Sequence, residues 1–194
     1  MHRRVSVFLV LLLWASILGA ENFSWAQDHC SSEYLLQNDE GYSSEASYTV
    51  LETCRLQLGA ELRAKPGLTV EDRYLLAKLS RDYREAAPQY VQLCEREGYL
   101  RACSAAATMV AHGVFGDMER DFRRFLDPAA EGGVPAAQVT LGDAYLIEFK
   151  ETRNPATLCT AIAWWSRADR TGDTGARKRL DWSAANFGSP CKAM

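Results

Sequence analysis

The feature that most constrains this chain is an internal repeat in its C-terminal half. The segment Ala129–Tyr145 has one copy 35 residues upstream and another 39 residues downstream. Gly98, Gly133 and Gly172 occupy equivalent places in the three copies. Each glycine lies between two apolar helical patterns, where the backbone often needs a left-handed conformation that glycine adopts freely. A repeat of this period predicts stacked supersecondary units.

Small and apolar side chains recur behind each glycine at helical spacing. They are Ala102, Ala106 and Val110 in the first copy, Ala137, Leu141, Gly142 and Tyr145 in the second, and Ala176, Leu180 and Ala184 in the third. Steps of three to four residues place these side chains on one helix face, and the alanines let two helices approach closely. A single helix pair cannot bury its apolar face alone, so we expect the pairs to stack into a solenoid.

Apolar periodicity predicts helices along most of the chain, and no segment alternates long enough to predict a strand. A first helix begins at Ala46, carries the stripe Leu51, Cys54, Leu58 and Leu62, and ends at Lys65, Pro66 and Gly67. Thr69 and Asp72 resemble a capping box that opens a second helix, with the stripe Tyr74, Leu75, Leu79 and Tyr83. Pro88 either closes this helix or opens the next. Further helices are expected at 89–97, 101–112, 118–131, 136–149, 155–170 and 174–186. The fold class is therefore predicted to be all-α.

The N-terminus has the pattern of a secretory signal peptide. Arg3 and Arg4 precede the apolar run 5–18, which is too short to be a convincing membrane span. We predict cleavage after Ala26, with Ala20 as a second candidate and an uncleaved signal anchor as the alternative. The expected organisation is a signal peptide at 1–26, an irregular lead-in at 27–45, an N-terminal helical hairpin or cap at 46–88, and a repeat domain with a C-terminal tail at 89–194.

The string AAEGGVPAAQVTLGDAY, residues 129–145, closely resembles the Sel-one-like repeat, a relative of the tetratricopeptide repeat that is built as a helical hairpin. The outer copies depart from the family pattern, because Ala107 and Asp181 stand where the family usually has the glycine of a Leu-Gly pair. The resemblance covers residues 90–186. It implies an α/α solenoid that binds other proteins along one face, and many bacterial members of the family are exported.

Six cysteines lie in the predicted exported part, and an even count in an oxidising compartment favours three disulfides. Cys94 and Cys103 straddle the Gly98 turn, where antiparallel helices bring α carbons close enough to bridge. The cysteine-containing exported members of the family staple their hairpins at a similar place. Proximity along the chain favours pairing Cys30 with Cys54 and Cys159 with Cys191. Six cysteines allow 15 pairings, so alternatives to these two stay open.

The sequence contains none of the common motifs of catalysis, cofactor binding or metal binding. His112 precedes a glycine turn and is most simply a partner of a helix dipole. The carboxylates Glu95, Glu97, Asp117, Glu119 and Asp121 are interpreted as solvated or capping charges. Trp164, Trp165 and Trp182 are interpreted as core packing in preference to a sugar-stacking platform. We therefore predict no catalytic residue, cofactor or metal.

Arg120, Arg123 and Arg124 form a basic cluster, which is either a solvated helix face or a contact with a partner. The chain as a whole has a net charge of −3, which argues against nucleic acid or an anionic membrane as its partner. The leading expectation is a non-enzymatic periplasmic or secreted adaptor for a protein component of the cell envelope. The alternatives are an immunity protein that neutralises an exported toxin and a small hydrolase that acts on the cell wall.

Overall fold

The computed structural model describes residue 30, residues 45–80, 82–115 and 119–188, and residue 191. The predicted signal peptide at 1–26 and nearly all of the predicted lead-in lie outside these residues. The described residues form eight α-helices and no β-strand, which confirms the all-α class. The helices are α1 (Glu45–Ala64), α2 (Val70–Lys78), α3 (Tyr83–Glu97), α4 (Leu100–Ala111), α5 (Glu119–Glu131), α6 (Pro135–Thr152), α7 (Pro155–Asp169) and α8 (Thr174–Phe187).

The chain divides into two compact units, Met1–Ser80 and Arg81–Met194. The first unit contains α1 and α2, whose apolar stripes form a shared core. Its buried members are Cys30, Cys54, Leu58, Leu62, Leu75 and Leu79. None of the described helices in either unit is long and apolar enough to cross a membrane.

The predicted capping box at the start of α2 is confirmed. The Thr69 hydroxyl accepts the Asp72 N–H at 3.1 Å, and the Asp72 carboxylate accepts the Thr69 N–H at 2.9 Å. Lys65 Nζ donates to the same carboxylate oxygen at 2.7 Å. The hydrogen bond from Lys65, together with the backbone bond from Thr69, lowers the pKa of Asp72. This one side chain therefore joins the end of α1 to the start of α2.

The predicted helix boundary at Pro88 is wrong, because Pro88 lies inside α3. Asp82 begins this helix, since its carboxylate accepts the Arg84 N–H at 2.8 Å and satisfies one of the free donors of the first turn. Tyr83, which the sequence assigned to the previous apolar stripe, is the first residue of α3. A strong N-cap upstream therefore outweighs the cost of a proline within the helix.

The three equivalent glycines adopt the predicted left-handed backbone. Their φ angles are 64° at Gly98, 89° at Gly133 and 93° at Gly172. At the first turn, the Gly98 and Tyr99 N–H groups donate to the carbonyls of Cys94 and Leu93, which ends α3 and turns the chain into α4. The equivalence derived from the repeat thus extends to backbone conformation.

Contacts on either side of the links show that consecutive helices reverse direction. Trp165 on α7 lies against Gly142 on α6, and the two residues are equally distant from the link at 153–154. Arg123 on α5 and Tyr145 on α6 lie on opposite sides of the Gly133 turn at similar distances along the chain, and they form a hydrogen bond. In the second unit the most extensive contacts are those between helices that follow one another in the chain.

Helices α6 and α8 run in the same direction. Asp143 on α6 pairs with Arg179 on α8, and farther along both helices the rings of Phe149 and Phe187 meet with centroids 5.5 Å apart. Because both contacts follow the same order along the two helices, α6 and α8 are parallel neighbours.

The alanines that follow each repeat glycine have no exposed surface, as close helix approach requires. They are Ala102, Ala137 and Ala176. The third copy is less complete, since Leu180 is only half-buried and Ala184 is exposed. Helix α8 therefore buries only part of the stripe that its sequence predicts.

The six cysteines form the three predicted disulfides. Cys30 pairs with Cys54, Cys94 with Cys103 and Cys159 with Cys191, with Cα–Cα distances of 4.9, 4.7 and 5.5 Å. The second disulfide joins the last turn of α3 to the first turn of α4, and the third attaches the C-terminal tail to α7. Three disulfides indicate that the chain folds in an oxidising compartment.

Candidate functional site

The basic cluster on α5 is used largely for contacts within the chain. The Arg123 guanidinium donates to the Tyr145 hydroxyl at 3.4 Å and to the Asp127 carboxylate at 3.5 Å, and it lies 4.7 Å from the centre of the Tyr145 ring. Arg124 forms an ion pair with Glu95 of α3. The side chain of Arg120 lies outside the described part of the chain. Of the two described side chains, that of Arg124 is therefore the more exposed, at 61% against 37% for Arg123.

Arg124 lies on the wall of an open cavity, which we call the α3–α5 groove. Its volume is about 500 Å³, within the range of pockets that hold a small ligand or part of a peptide. The apolar lining consists of Pro88, Val91, Val110, Phe115 and Phe125, and the polar lining consists of Gln92, Glu95, Arg96 and Arg124. The groove is thus formed by α3, the end of α4 with the link behind it, and α5.

The groove has a buried apolar floor and an exposed aromatic side chain. Val110 and Phe125 are almost fully buried and support the floor. Phe115, in the link after α4, remains 44% exposed, although most large apolar side chains of the second unit are covered. Arg124 lies over the Phe125 ring at 5.5 Å and is paired with Glu95, so its position is held from two directions.

By contrast, the space between α6, α7 and α8 is filled by the Trp165 side chain. Trp165 has no exposed surface, and a β carbon at Gly142 would lie 2.5 Å from its indole nitrogen. The indole N–H donates to Asp143 at 3.1 Å, and Asp143 accepts two bonds of 2.6 Å from Arg179. The hydrogen bonds that the Arg179 guanidinium donates to the Asp143 carboxylate raise the pKa of Arg179. We call these residues, Gly142, Asp143, Trp165 and Arg179, the α6–α8 cluster.

The three tryptophans occupy different environments. Trp165 confirms the expectation of core packing. Trp164 is half-buried beneath the Arg167 guanidinium, 4.3 Å from the ring centre. Trp182 is 41% exposed and meets Phe187 edge to face, so core packing is wrong for this residue.

His112 lies at the end of α4, as the sequence predicted, and is exposed. A second open cavity of about 620 Å³ brings it near Asp82, Tyr83 and Arg84. In the described residues no cluster of His, Cys, Asp and Glu has the arrangement of a metal site. All the cysteines are in disulfides, so no thiolate is available to His112 as a nucleophile.

Two of the carboxylates that were interpreted as solvated or capping charges have described side chains, and both side chains lie at the surface. Glu95 pairs with Arg124, and Glu97 is exposed in the last turn of α3. The side chains of Asp117, Glu119 and Asp121 lie outside the described part of the chain.

Sequence reasoning did not single out Phe115, Gln92 or Arg96. A signal for Phe115 exists, because Val114 and Phe115 form an apolar pair in a short link flanked by Gly113 and Gly116. A large apolar residue in such a link has no helix face to join. It either packs down on the neighbouring helices or stays available to a partner.

Comparison of the chain with protein-family models, with curated proteins and with solved structures finds no match. Its function is therefore inferred from the residues and contacts described above.

Proposed function

We propose that this protein is an exported, non-enzymatic helical-repeat protein that binds a protein partner through the α3–α5 groove. The repeat is of the Sel-one-like type, and its helical hairpins stack as a short solenoid. In the cell the protein acts as an adaptor for a component of the envelope, in the periplasm or outside the cell.

The solenoid arrangement is supported by regularities of the second unit. Gly98, Gly133 and Gly172 share a left-handed backbone at equivalent turns. Consecutive helices reverse direction, while α6 and α8 are parallel neighbours. A solenoid of helical hairpins has the same order, since each helix packs on the next in sequence and on the equivalent helix of the following repeat.

The observation that carries the binding function is the exposure of Phe115 above an apolar floor and beside an ion pair. Protein interfaces combine a buried apolar centre with a polar rim, and aromatic and arginine side chains supply much of their binding energy. The groove has both elements, with Phe115, Val91 and Phe125 at the centre and Arg96 and Arg124 at the rim.

Export is supported by the three disulfides and by the predicted signal peptide. Disulfides persist in the periplasm and outside the cell, whereas cytosolic thiols are kept reduced. The acidic balance of the chain disfavours nucleic acid as a partner. A protein partner in the envelope fits both features.

Site-specific photo-crosslinking in cells tests the proposal. A benzophenone amino acid replaces Phe115 or Gln92 in the groove, and it replaces Ile147, an exposed apolar residue on α6, as the matched control. We expect one discrete adduct with the same protein from both groove positions and none from Ile147. Equal adducts from all three positions, or none from the groove, would contradict the proposal.

The non-enzymatic part of the proposal has its own test. We expect the His112→Ala variant to complement a deletion strain as well as the unmodified protein, because every cysteine is in a disulfide and no thiolate is available for His112 to activate. A variant that is exported, folded and crosslinked to its partner but inactive in cells would indicate an enzyme instead.

A further inference from the structure

The guanidinium groups of the α3–α5 groove have unused hydrogen-bonding capacity. A guanidinium has five N–H donors, and Arg124 directs one of its terminal nitrogens to Glu95. Within the described part of the chain its side chain donates to no other acceptor. Arg96, exposed on the same helix as Glu95, forms no ion pair with any described residue.

Among the described residues that line the groove, the charges are unbalanced. Arg96 and Arg124 face one described carboxylate, Glu95, which already pairs with Arg124. An incoming ammonium group would meet an uncompensated positive charge, whereas an incoming carboxylate would meet free N–H donors. Complementary charge selects the partner and speeds its association.

We infer that the occupant of the groove is a segment of a partner protein that carries large apolar side chains beside carboxylates. This inference rests on the proposed function and adds the chemistry of the partner. The apolar side chains pack on Val91, Phe115 and Phe125, and the carboxylate accepts hydrogen bonds from Arg96 and Arg124. The exposed amide of Gln92 bonds to the backbone of the segment. A groove of about 500 Å³ holds two or three such side chains.

Three fluorescein-labelled peptides test the inference by fluorescence anisotropy with the oxidised mature protein. The first has a central Leu-Phe pair flanked by aspartates, the second has the same pair flanked by lysines, and the third has aspartates around a pair of serines. We expect the first peptide to bind at least about ten-fold more tightly than either of the others, because only this peptide matches both the floor and the rim.

Variants of the groove locate the binding. Phe115→Ala is expected to weaken binding of the first peptide about ten-fold or more, the loss typical of an interface anchor. Arg96→Glu is expected to weaken it about five-fold and to improve binding of the lysine peptide, since one exposed ion pair is exchanged for a repulsion. Ile147→Ala and Lys178→Glu are the matched apolar and charge controls and should leave both affinities unchanged.

Both substituted side chains are exposed, so we expect the variants to fold, and circular dichroism of the oxidised proteins checks this. Arg96→Gln is a milder substitution that should lower affinity without favouring the lysine peptide.

Equal affinity for the acidic and basic peptides would overturn the inferred chemistry. If groove crosslinks to a cellular partner persist in that case, the proposed function stands and only the inferred chemistry fails. A dimer that dissociates on the Phe115→Ala change would mean that a second copy of the chain fills the groove, and it would overturn the inference.

Discussion

The α6–α8 cluster and the α3–α5 groove lie in the same unit and are both built where helices pack together, but they fill the space between helices differently. In the cluster, Trp165 occupies the space completely and its indole N–H is bonded to Asp143. In the groove, Phe115 remains exposed and the space is open. The two regions are also stabilised differently. A buried side chain stabilises the cluster, whereas a disulfide holds the turn between α3 and α4, the two helices on one side of the groove.

This difference separates stability from binding. Trp165 is fully buried against Gly142, so its packing stabilises the fold and it offers no surface to a partner. An exposed phenylalanine contributes little to folding, and its burial against a partner supplies binding energy. Substitutions in the two regions should therefore affect different measurements.

The largest expected effect is that of Trp165→Ala. Removing a fully buried indole leaves a cavity and takes away one of the hydrogen bonds that Asp143 accepts, and we expect a loss of about 3–5 kcal/mol in the free energy of unfolding. Urea denaturation followed by circular dichroism measures this loss. The matched control is Trp182→Ala, which removes a partly exposed ring and should cost much less. Equal losses for the two variants would mean that the cluster is not a centre of stability.

Removing the disulfide at the α3–α4 turn should have the next largest effect. The Cys94→Ser, Cys103→Ser double variant loses a crosslink with a sequence separation of 9, which is expected to cost about 2–3 kcal/mol. The loss should also weaken binding at the groove, since α3 carries much of its lining. Peptide mapping without reduction checks the native pairing. Labelling of both thiols by iodoacetamide in the folded, exported protein would refute the crosslink.

The ion pair of the cluster should contribute less than either of these. Asp143 and Arg179 retain 36% and 39% of their side-chain exposure, so solvent screens the pair. A double-mutant cycle with Asp143→Asn and Arg179→Gln is expected to give a coupling energy of about 1 kcal/mol. A coupling near zero would assign the stability of this region to Trp165 alone.

The smallest effect on stability is expected at the ion pair of the groove. Arg124 and Glu95 are more exposed than the pair in the cluster, and Arg124→Ala should change the free energy of unfolding by less than about 0.5 kcal/mol. The same substitution should weaken binding of the acidic peptide. A large loss of stability with unchanged binding would reverse the roles assigned to the two regions.

The local features of the fold were predictable from the sequence. Helix positions follow from apolar periodicity, and the capping box at Thr69 is a short-range signal. The turns at Gly98, Gly133 and Gly172 follow from the repeat, because equivalent glycines meet the same backbone requirement. The helix boundary predicted at Pro88 was wrong. The helix begins at the N-cap Asp82 instead, and it accommodates the proline in its interior.

The candidate site was less predictable, because it depends on contacts between residues far apart in the chain. Arg124 meets Glu95 across 29 positions, and no local pattern indicates that pair. Trp165 and Trp182 are chemically identical, yet one is covered by its neighbours and the other is not. The arginine cluster was visible in the sequence, but only packing determines that Arg123 lies against Tyr145 while Arg124 borders the groove.

Hydroxyl-radical footprinting tests most directly whether a partner fills the groove. Phe115 and Trp182 are matched aromatic probes with 44% and 41% exposure, and Trp165 is a buried reference. Oxidation of each residue is measured by mass spectrometry in the purified protein and in intact cells that export it. We predict that Phe115 is oxidised in the purified protein and protected in cells, that Trp182 is oxidised in both and that Trp165 is protected in both. Equal oxidation of Phe115 in the purified protein and in cells would contradict a groove occupied by a partner.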